Sequence, residues 1–220
     1  RIKTMPTFSP PKLLKGAIVS LDPPNPTPRV VIFQYNPNTL TRSLTAQFQE
    51  NEGKTGDPPR FKGAPEETIK LDVEIDAADQ LEKGDATAGD AGILPQLAAL
   101  EILLYPRSDA IKSNESLLKI GTLEVVPTAA PLTLFIWGQR RILPVRITEF
   151  SVTEDAHNPS LSPIRAKVSL GLKVLTYSDV GASNPAWGLF LSHQVIKETL
   201  ATAGTTGSLN AVVGSNVKLI

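Results

Sequence analysis

Three acidic side chains at alternating positions are the residues of this sequence that could most readily support chemistry. Asp72, Glu74 and Asp76 recur at every second residue, and clustered carboxylates can serve acid–base catalysis or bind calcium. They share the polar parity of a strand pattern, in which every second side chain faces water. We therefore favour a solvated strand face, and a hydrolase with an unrecognised carboxylate site stays as an alternative.

Histidines and nucleophile motifs add little to this inventory. The chain has two histidines and no cysteine, and His157 and His193 lie in different segments with no second ligand at zinc spacing. The absence of cysteine excludes disulfides, thiolate metal sites and cysteine nucleophiles, and it fits a reducing compartment. No Gly-x-Ser-x-Gly motif occurs. We predict no enzyme, no metal and no cofactor.

Two further motifs lack the sequence context that phosphate binding or nucleic acid binding would require. Gly53-Lys54-Thr55 looks like the end of a phosphate-binding loop, but the first glycine of such a loop would fall on Phe48. Arg140 and Arg141 could contact a nucleic acid backbone. However, 22 basic residues balance 22 acidic ones, so the chain has no net charge that would attract a polyanion. A solvated strand end is favoured, and we expect no nucleic acid partner.

Alternating apolar side chains predict the strands that must position these residues. Residues 166–174 and 67–76 alternate apolar and polar side chains, so each strand covers a core on one side only. In a third strand, at 142–152, the apolar parity changes near Thr148, which predicts a β-bulge. Residues 154–163 hold two prolines and several turn formers, so we predict a projecting loop there.

The rest of the pattern predicts further strands and one core helix. Residues 131–138 are apolar on both faces and should form a central or interface-covered strand. The other predicted elements are strands at 13–21, 29–35 and 40–48 (where Arg42 interrupts the apolar phase), loops at 23–28, 49–65 and 77–92, an extended arm at 1–12, an ambiguous segment at 106–127, and a core helix at 93–105.

These elements predict a mainly β fold with one core helix, an antiparallel β-barrel or sandwich. We expect one such domain over residues 1–177. After it the composition changes to a linker, a helix at 186–203 and a Gly/Ser/Thr-rich tail, so residues 178–220 should form a C-terminal extension. No apolar run reaches the ~20 residues of a membrane span.

Two motifs in a fixed order resemble a known family. The first runs from Val31 to Leu40 (Val-Ile-Phe-Gln-Tyr-Asn-Pro-Asn-Thr-Leu), a strand that ends in an Asn-Pro turn. The second is Pro163-Ile164-Arg165-Ala166, which enters the final core strand. Their order and spacing over residues 13–176 resemble the N-terminal domain of tube proteins from contractile injection systems, which are phage-tail-like particles. One departure is Ser160-Leu161-Ser162, where the family often has a glycine.

The resemblance implies a fold of the phage tail-tube type and a structural role. That role is a ring, hexameric by resemblance, which acts as tube initiator or adaptor between the spike hub and the inner tube at the baseplate. The implied partners are copies of the chain, the spike hub protein, the inner tube protein, and baseplate or sheath components. The particle would be assembled in the cytoplasm and then released or virion-like. An ordinary tube subunit is a close variant. Family-motif or subunit-interface candidates are Phe33, Asn36, Pro37, Leu40, Trp137, Pro163, Arg165 and Ala166.

Two of these candidates have roles that can be stated in advance. Asn36 should bond its own backbone in a turn. Arg165 either orients the loop before the final strand, as the resemblance implies, or is an exposed arginine at a strand end. A function from a different class also stays open, a carbohydrate-binding β-sandwich that would use Trp137, Tyr177 and Trp187. Aromatic residues make up only 5% of the chain, which is few for sugar stacking.

Overall fold

The computed structural model of the chain describes residues 14–22, 25–49, 58–119 and 130–204. It contains seven strands and five helices in these ranges. The strands are β1 (Ala17–Asp22), β2 (Asn25–Ile32), β3 (Leu40–Thr45), β4 (Glu66–Asp76), β5 (Leu132–Ile136), β6 (Ile142–His157) and β7 (Pro163–Val174). The helices are α1 (Ala78–Glu82), α2 (Ala86–Ala91), α3 (Leu94–Glu101), α4 (Ser108–Lys119) and α5 (Pro185–Gly204).

All seven strands form one antiparallel sheet in the order β2-β1-β5-β6-β7-β4-β3. The mainly β architecture and the C-terminal helix are confirmed. The closed barrel is wrong, because β2 and β3 remain at the two edges of an open sheet. A closed barrel would require hydrogen bonds between β2 and β3. Instead, the end of β2 lines a cavity of about 360 Å³ together with residues of β4 and α3.

Strand β7 is an interior strand of the sheet and lies between β6 and β4. Its alternating apolar side chains are all buried, as are those of the paired strand β4, which confirms the predicted one-sided strands. Strand β5 lies between β1 and β6, so the prediction of a central strand at 131–138 is also confirmed. The buried aliphatic set of β4 and β7 comprises Ile69, Leu71, Val73, Ile75, Ala166, Val168, Leu170, Leu172 and Val174.

The β-bulge predicted near Thr148 is present. The register of β6 against β7 shifts between Ile147 and Glu149, and the Thr148 hydroxyl donates to the carbonyl of Gly171 at 3.1 Å. A Cβ atom on Gly171 would lie 2.8 Å from the Cβ of Glu149. The bulge therefore requires a residue without a side chain directly across the ladder.

We predict that Gly171→Ala destabilises the protein by about 1–3 kcal/mol, because an added methyl group forces the bulged backbone of β6 to move. Urea unfolding followed by circular dichroism measures this change. Gly181→Ala is the matched control, since a Cβ at Gly181 meets no atom within 4 Å. Equal stability of the two variants would contradict the steric role of Gly171.

Three predicted loops are shorter than the sequence indicated. Strand β6 continues to His157 through two further register shifts, so only residues 158–162 connect it to β7. Residues 25–28 belong to the edge strand β2, and not to a stiff loop at 23–28. Beyond Thr45 the β3–β4 hairpin is still paired through the Phe48–Phe61 bridge, within the predicted loop at 49–65. Bulges and an edge position accommodate residues that would disrupt a central regular strand.

The loop predicted at 77–92 is wrong, because it contains α1 and α2. The carboxylate of Asp76 accepts from the N–H of Ala78 at 2.7 Å, ahead of α1. The carboxylate of Asp85 caps α2 by accepting from the N–H groups of Thr87 and Ala88. Each helix is too short to show an apolar periodicity, and side-chain capping satisfies its first donors.

The core helix and the C-terminal helix were both predicted correctly. Helix α3 buries Leu97 and Leu100, with Ile93 at its N-cap. The N–H of Ile93 donates to the carbonyl of Pro163 at 2.8 Å. A Cβ at the preceding Gly92 would lie 2.0 Å from that same carbonyl oxygen, and its φ is +58°. Close backbone approach therefore requires glycine there.

The remaining expectations meet the structure only in part. The ambiguous segment at 106–127 contains helix α4, which buries none of its side chains. The predicted arm at 1–12, the centre of the 49–65 loop and the tail after residue 204 lie outside the described residues. Among the described residues, no helix is both long and apolar enough to span a bilayer.

Candidate functional site: the crossover segment, the sheet edges and a cationic cleft

Residues 33–39, the crossover segment, connect one edge strand of the sheet to the other. Phe33 is buried in the core, and its N–H extends the β1–β2 ladder to the carbonyl of Gly16. The side chain of Gln34 donates to the carbonyl of Asp76 at 2.7 Å and accepts from its N–H at 2.9 Å. A single amide side chain therefore satisfies both main-chain groups at the end of β4, as a neighbouring strand would.

Asn36 acts in the same way on the opposite side of the crossover segment. Its carbonyl oxygen accepts from the N–H of Gly16 at 2.9 Å, and its amide donates to the carbonyl of Leu14 at 2.8 Å. The prediction that Asn36 bonds its own backbone is therefore wrong. The side chain instead fixes the segment that leads into β1, twenty residues earlier in the chain.

We predict that Gln34→Ala destabilises the protein by about 2 kcal/mol, because the N–H and carbonyl of Asp76 both lose a partly buried partner. Thermal or urea unfolding measures the change. Asn38→Ala, an exposed residue on the same segment, should leave the stability within about 0.5 kcal/mol. Equal effects at the two positions would show that the amide pair contributes nothing.

The second family-like motif lies next to the hydrogen bonds between Gln34 and Asp76. Ala166 is fully buried and Pro163 is buried, and the carbonyl of Ile164 accepts from the N–H of Ala77 at 2.9 Å. Arg165 donates to the carboxylate of Asp76 at 2.7 Å. The Ala78 N–H, together with Arg165, holds the pKa of Asp76 below its ordinary value. Arg165 therefore joins the start of β7 to the end of β4.

The position where the family often has glycine has a special backbone. Leu161 has a φ of +62°, in the left-handed region that favours glycine. Its side chain is exposed, and the carboxamide oxygen of Asn158 accepts from the N–H groups of Ser160 and Ser162 around it. The tight connection between β6 and β7 therefore keeps this conformation without glycine.

The other motif candidates lie within or beside the core. Leu40 opens β3 and packs against the core, and Pro37 is partly buried in the crossover segment. Trp137 stacks on Phe135 with ring centroids 5.9 Å apart. None of these positions tests a role between subunits, so the interface role of the eight candidates stays a prediction.

Asp72 and Tyr177, which belong to the two alternative functions, have internal partners. On the outer face, Asp72 pairs with Lys167 at 2.8 Å and accepts from Ser169 at 2.7 Å. These two partners hold the pKa of Asp72 below its ordinary value. Tyr177 contacts Phe190 edge-on at 5.8 Å. Within the described ranges, no three histidine or carboxylate side chains are grouped so that they could hold a metal.

Within the described ranges, the two edge strands present main-chain groups that have no partner on the outer side. The N–H of Phe33 points toward β1, and the main-chain groups of successive strand residues point in alternate directions. Those of Val30 and Ile32 therefore point away from the sheet. Their side chains are 52% and 62% exposed. Near the opposite edge, Phe48 and Phe61 stack at 5.1 Å and are 51% and 73% exposed. Exposed apolar side chains beside unpaired strands are typical of surfaces that another chain covers.

A buried carboxylate organises the inner face where α5 lies on the sheet. The Glu67 side chain is 3% exposed. Its two oxygens accept from Arg42 at 2.8 Å and from Lys197 at 3.1 Å. Burial alone raises the pKa of Glu67, but the Arg42 hydrogen bond and the Lys197 charge outweigh it and lower the pKa. The pair β3–β4 is thereby tied to α5.

Arg42 and Lys197 also line the cationic cleft, a cavity of about 330 Å³. Helix α5 supplies His193, whose ring is buried. Burial lowers the pKa of His193, and the charge of Lys197 lowers it further, against smaller opposing effects of Glu67 and the Arg140 main chain. The cleft is lined by Arg42, Trp137, Arg140, Arg141, His193, Ile196, Lys197 and Leu200.

We predict that stability falls as the pH is lowered through the ordinary histidine value of 6.5. Below that value the unfolded chain binds a proton that folded His193 does not, until the pH reaches the lower folded pKa. One proton limits this slope to about 1.4 kcal/mol per pH unit. Urea unfolding between pH 8 and pH 5 should show a flatter profile for His193→Gln. Parallel profiles would exclude the effect.

Sequence reasoning missed the members of this cluster, although two signals were present. Arg42 interrupted the apolar phase of its strand, and Glu67 shares the inward parity of Ile69. Opposite charges on the inward parities of adjacent strands indicate an internal ion pair. Arg140 and Arg141 were singled out for a different ligand. Nothing in the local sequence indicated that Lys197 and His193 would join them.

Comparison with family models matched residues 12–179 to the contractile injection system tube protein family. The match spans more than half of the chain. The chain belongs to this family. Among solved structures, the tube-family chain is similar to the tail of an empty gene transfer agent particle refined with C6 symmetry. That similarity has 12% identity and a TM-score of 0.28, and it covers 72% of this chain and 90% of the other. No curated protein matched the sequence.

Membership of the tube family agrees with the resemblance drawn from the two motifs. The matched residues include the whole seven-stranded sheet together with the crossover segment. The protein is therefore a structural tube or tail component of a contractile injection system.

Proposed function

We propose that the tube-family chain is a non-enzymatic subunit of a ring that connects the spike hub to the inner tube at the baseplate. The observation that carries the proposal is the open sheet in a chain of this family. Among the residues that the structure describes, neither edge strand has a partner on its outer side, and exposed apolar side chains stand beside each of them. Copies that meet along these edges would cover both surfaces and close a ring.

The same proposal assigns a role to each of the two parts of the chain. Residues 1–177 form the ring-building unit, and residues 178–220 form an extension whose helix α5 braces its inner face. The ring is hexameric, and its other neighbours are the spike hub protein, the inner tube protein, and baseplate or sheath components. It assembles in the cytoplasm as part of a phage-tail-like particle.

We expect electron microscopy of purified particles to locate the protein at the baseplate end, in one ring per particle. Quantitative mass spectrometry, referenced to the sheath subunit, separates the two variants of this role. An adaptor is present in a few copies per particle, whereas an ordinary tube subunit scales with the length of the tube. Absence of the protein from the baseplate end would overturn the adaptor role.

A further inference from the structure

The cationic cleft has more positive charge than its surroundings neutralise. Arg42 and Lys197 share the single carboxylate of Glu67. In the described part of the chain, the side chains of Arg140 and Arg141 have neither a hydrogen bond nor an ion pair. The four cations and one carboxylate leave a net charge of +3 at this cleft. An anionic ligand would neutralise it, and guanidinium groups bind carboxylates and phosphates in matching geometry.

A second observation at the same cleft is a buried ring nitrogen that lacks a hydrogen-bond partner. His193 lines the cavity and is 7% exposed. Its Nδ1 atom is buried and has no partner within the described residues. In a neutral imidazole this nitrogen donates or accepts according to the tautomer, and leaving it unsatisfied costs about 1–3 kcal/mol.

A peptide segment with acidic side chains supplies both the charge and the hydrogen-bonding groups that the cleft lacks. Its carboxylates would neutralise Arg140 and Arg141, and its main chain offers both an N–H and a carbonyl to His193. A phosphodiester group carries the charge but can only accept a hydrogen bond, so it satisfies Nδ1 in only one of the two tautomers. The formal net charge of zero also gives the chain no general attraction for a nucleic acid. Trp137, Ile196 and Leu200 add an apolar wall for a neighbouring apolar side chain.

The chain itself carries a segment of this chemistry. Residues 50–57 contain Glu50, Glu52 and Asp57 with one lysine, which gives a net charge of −2. The segment joins the two arms of the β3–β4 hairpin, directly beyond the exposed pair Phe48 and Phe61. Acidic and apolar side chains therefore occur together, in the combination that the cleft can receive.

We propose that the cationic cleft of one copy binds the acidic segment 50–57 of a neighbouring copy, with carboxylates on Arg140 and Arg141. The contact is heterologous, because two different surfaces of the same chain meet, and such contacts generate rings when the rotation closes. The inference rests on the proposed function in one respect, namely that copies of the chain lie side by side.

The first experiment measures binding to the full-length chain by the fluorescence of Trp137. The chain has two tryptophans, so Trp187→Phe leaves Trp137 as the only one. The probe is a synthetic peptide of residues 46–59, whose side chains have a net charge of −2, and its control replaces Glu50 and Glu52 by Gln, which leaves no net charge. We expect saturable binding that weakens with salt and is about tenfold tighter than that of the neutral peptide.

Two variants test whether the cleft is the site. Arg141→Gln should weaken peptide binding by about tenfold. The matched control, Lys70→Gln, removes an exposed lysine on the outer face that pairs with Glu149 and should leave binding unchanged. Equal binding of the neutral peptide, or no effect of Arg141→Gln, would overturn the proposal. So would tighter binding of inorganic phosphate or a single-stranded oligonucleotide than of the peptide.

The second experiment exchanges the charges within one chain. Arg140→Glu with Arg141→Glu should abolish self-association in sedimentation velocity, and Glu50→Arg with Glu52→Arg should do the same. All four substitutions together should restore it. Failure of this rescue would overturn the proposed contact, while a ring that is still seen at the baseplate end would leave the proposed function intact. The segment could also occupy the cleft of its own chain, and in that case Glu50→Gln with Glu52→Gln would change the fluorescence of Trp137 in a monomeric chain. Such a change would also overturn the proposal.

Discussion

The burial of one face of the interior strand β7 is the constraint on which the rest of the structure depends. Five apolar side chains from Ala166 to Val174 point to one side and are almost completely removed from water. At about 25 cal/mol per Å² of apolar surface, this face and the matching face of β4 supply a large part of the stabilisation. The opposite faces carry charged side chains that pair across the strands, such as Asp72 with Lys167. One side of the sheet therefore has to be covered, and α3 and α5 do so.

Side-chain amides complete this sheet at the place where its strands do not. Gln34 and Asn36 each form two hydrogen bonds with the main chain of another segment. They are separated by one residue, and a regular extended chain would place both side chains on the same face. The bend at residues 34 and 35 lets the two side chains reach different segments. The short motif Gln-Tyr-Asn-Pro thus connects the crossover segment to β4 on one side and to the entry of β1 on the other. Its role within one chain is structural, whatever it does between copies.

The sequence predicted those features that depend on a local period. The strands at 67–76 and 166–174, the bulge near Thr148, and the helices at 93–105 and 186–203 all follow from alternation, from a change of parity or from helical spacing. Helices α1 and α2 could not be predicted in this way, because neither shows a periodic apolar face. Local hydrogen bonds to aspartate side chains mark where they begin, from Asp76 to the Ala78 N–H of α1 and from the N-cap Asp85 of α2.

The candidate site was less accessible to sequence reasoning than the fold. The cationic cleft combines β3, the turn between β5 and β6, and α5, and these segments are separated by many tens of residues. The charges of Arg42 and Glu67 on inward parities indicated an internal pair on two adjacent strands. Their connection to Lys197 and His193 depends on how α5 lies on the sheet, and no local pattern encodes that arrangement.

The proline at position 28 has a consequence for the protein before it is assembled. Pro28 precedes Val30 and Ile32 in the outward-facing row of the edge strand β2, and it has no N–H to donate. A strand of another molecule that approached this edge would meet hydrogen-bond donors only at the last few residues of β2. Open-ended pairing of free subunits along this edge is thereby discouraged.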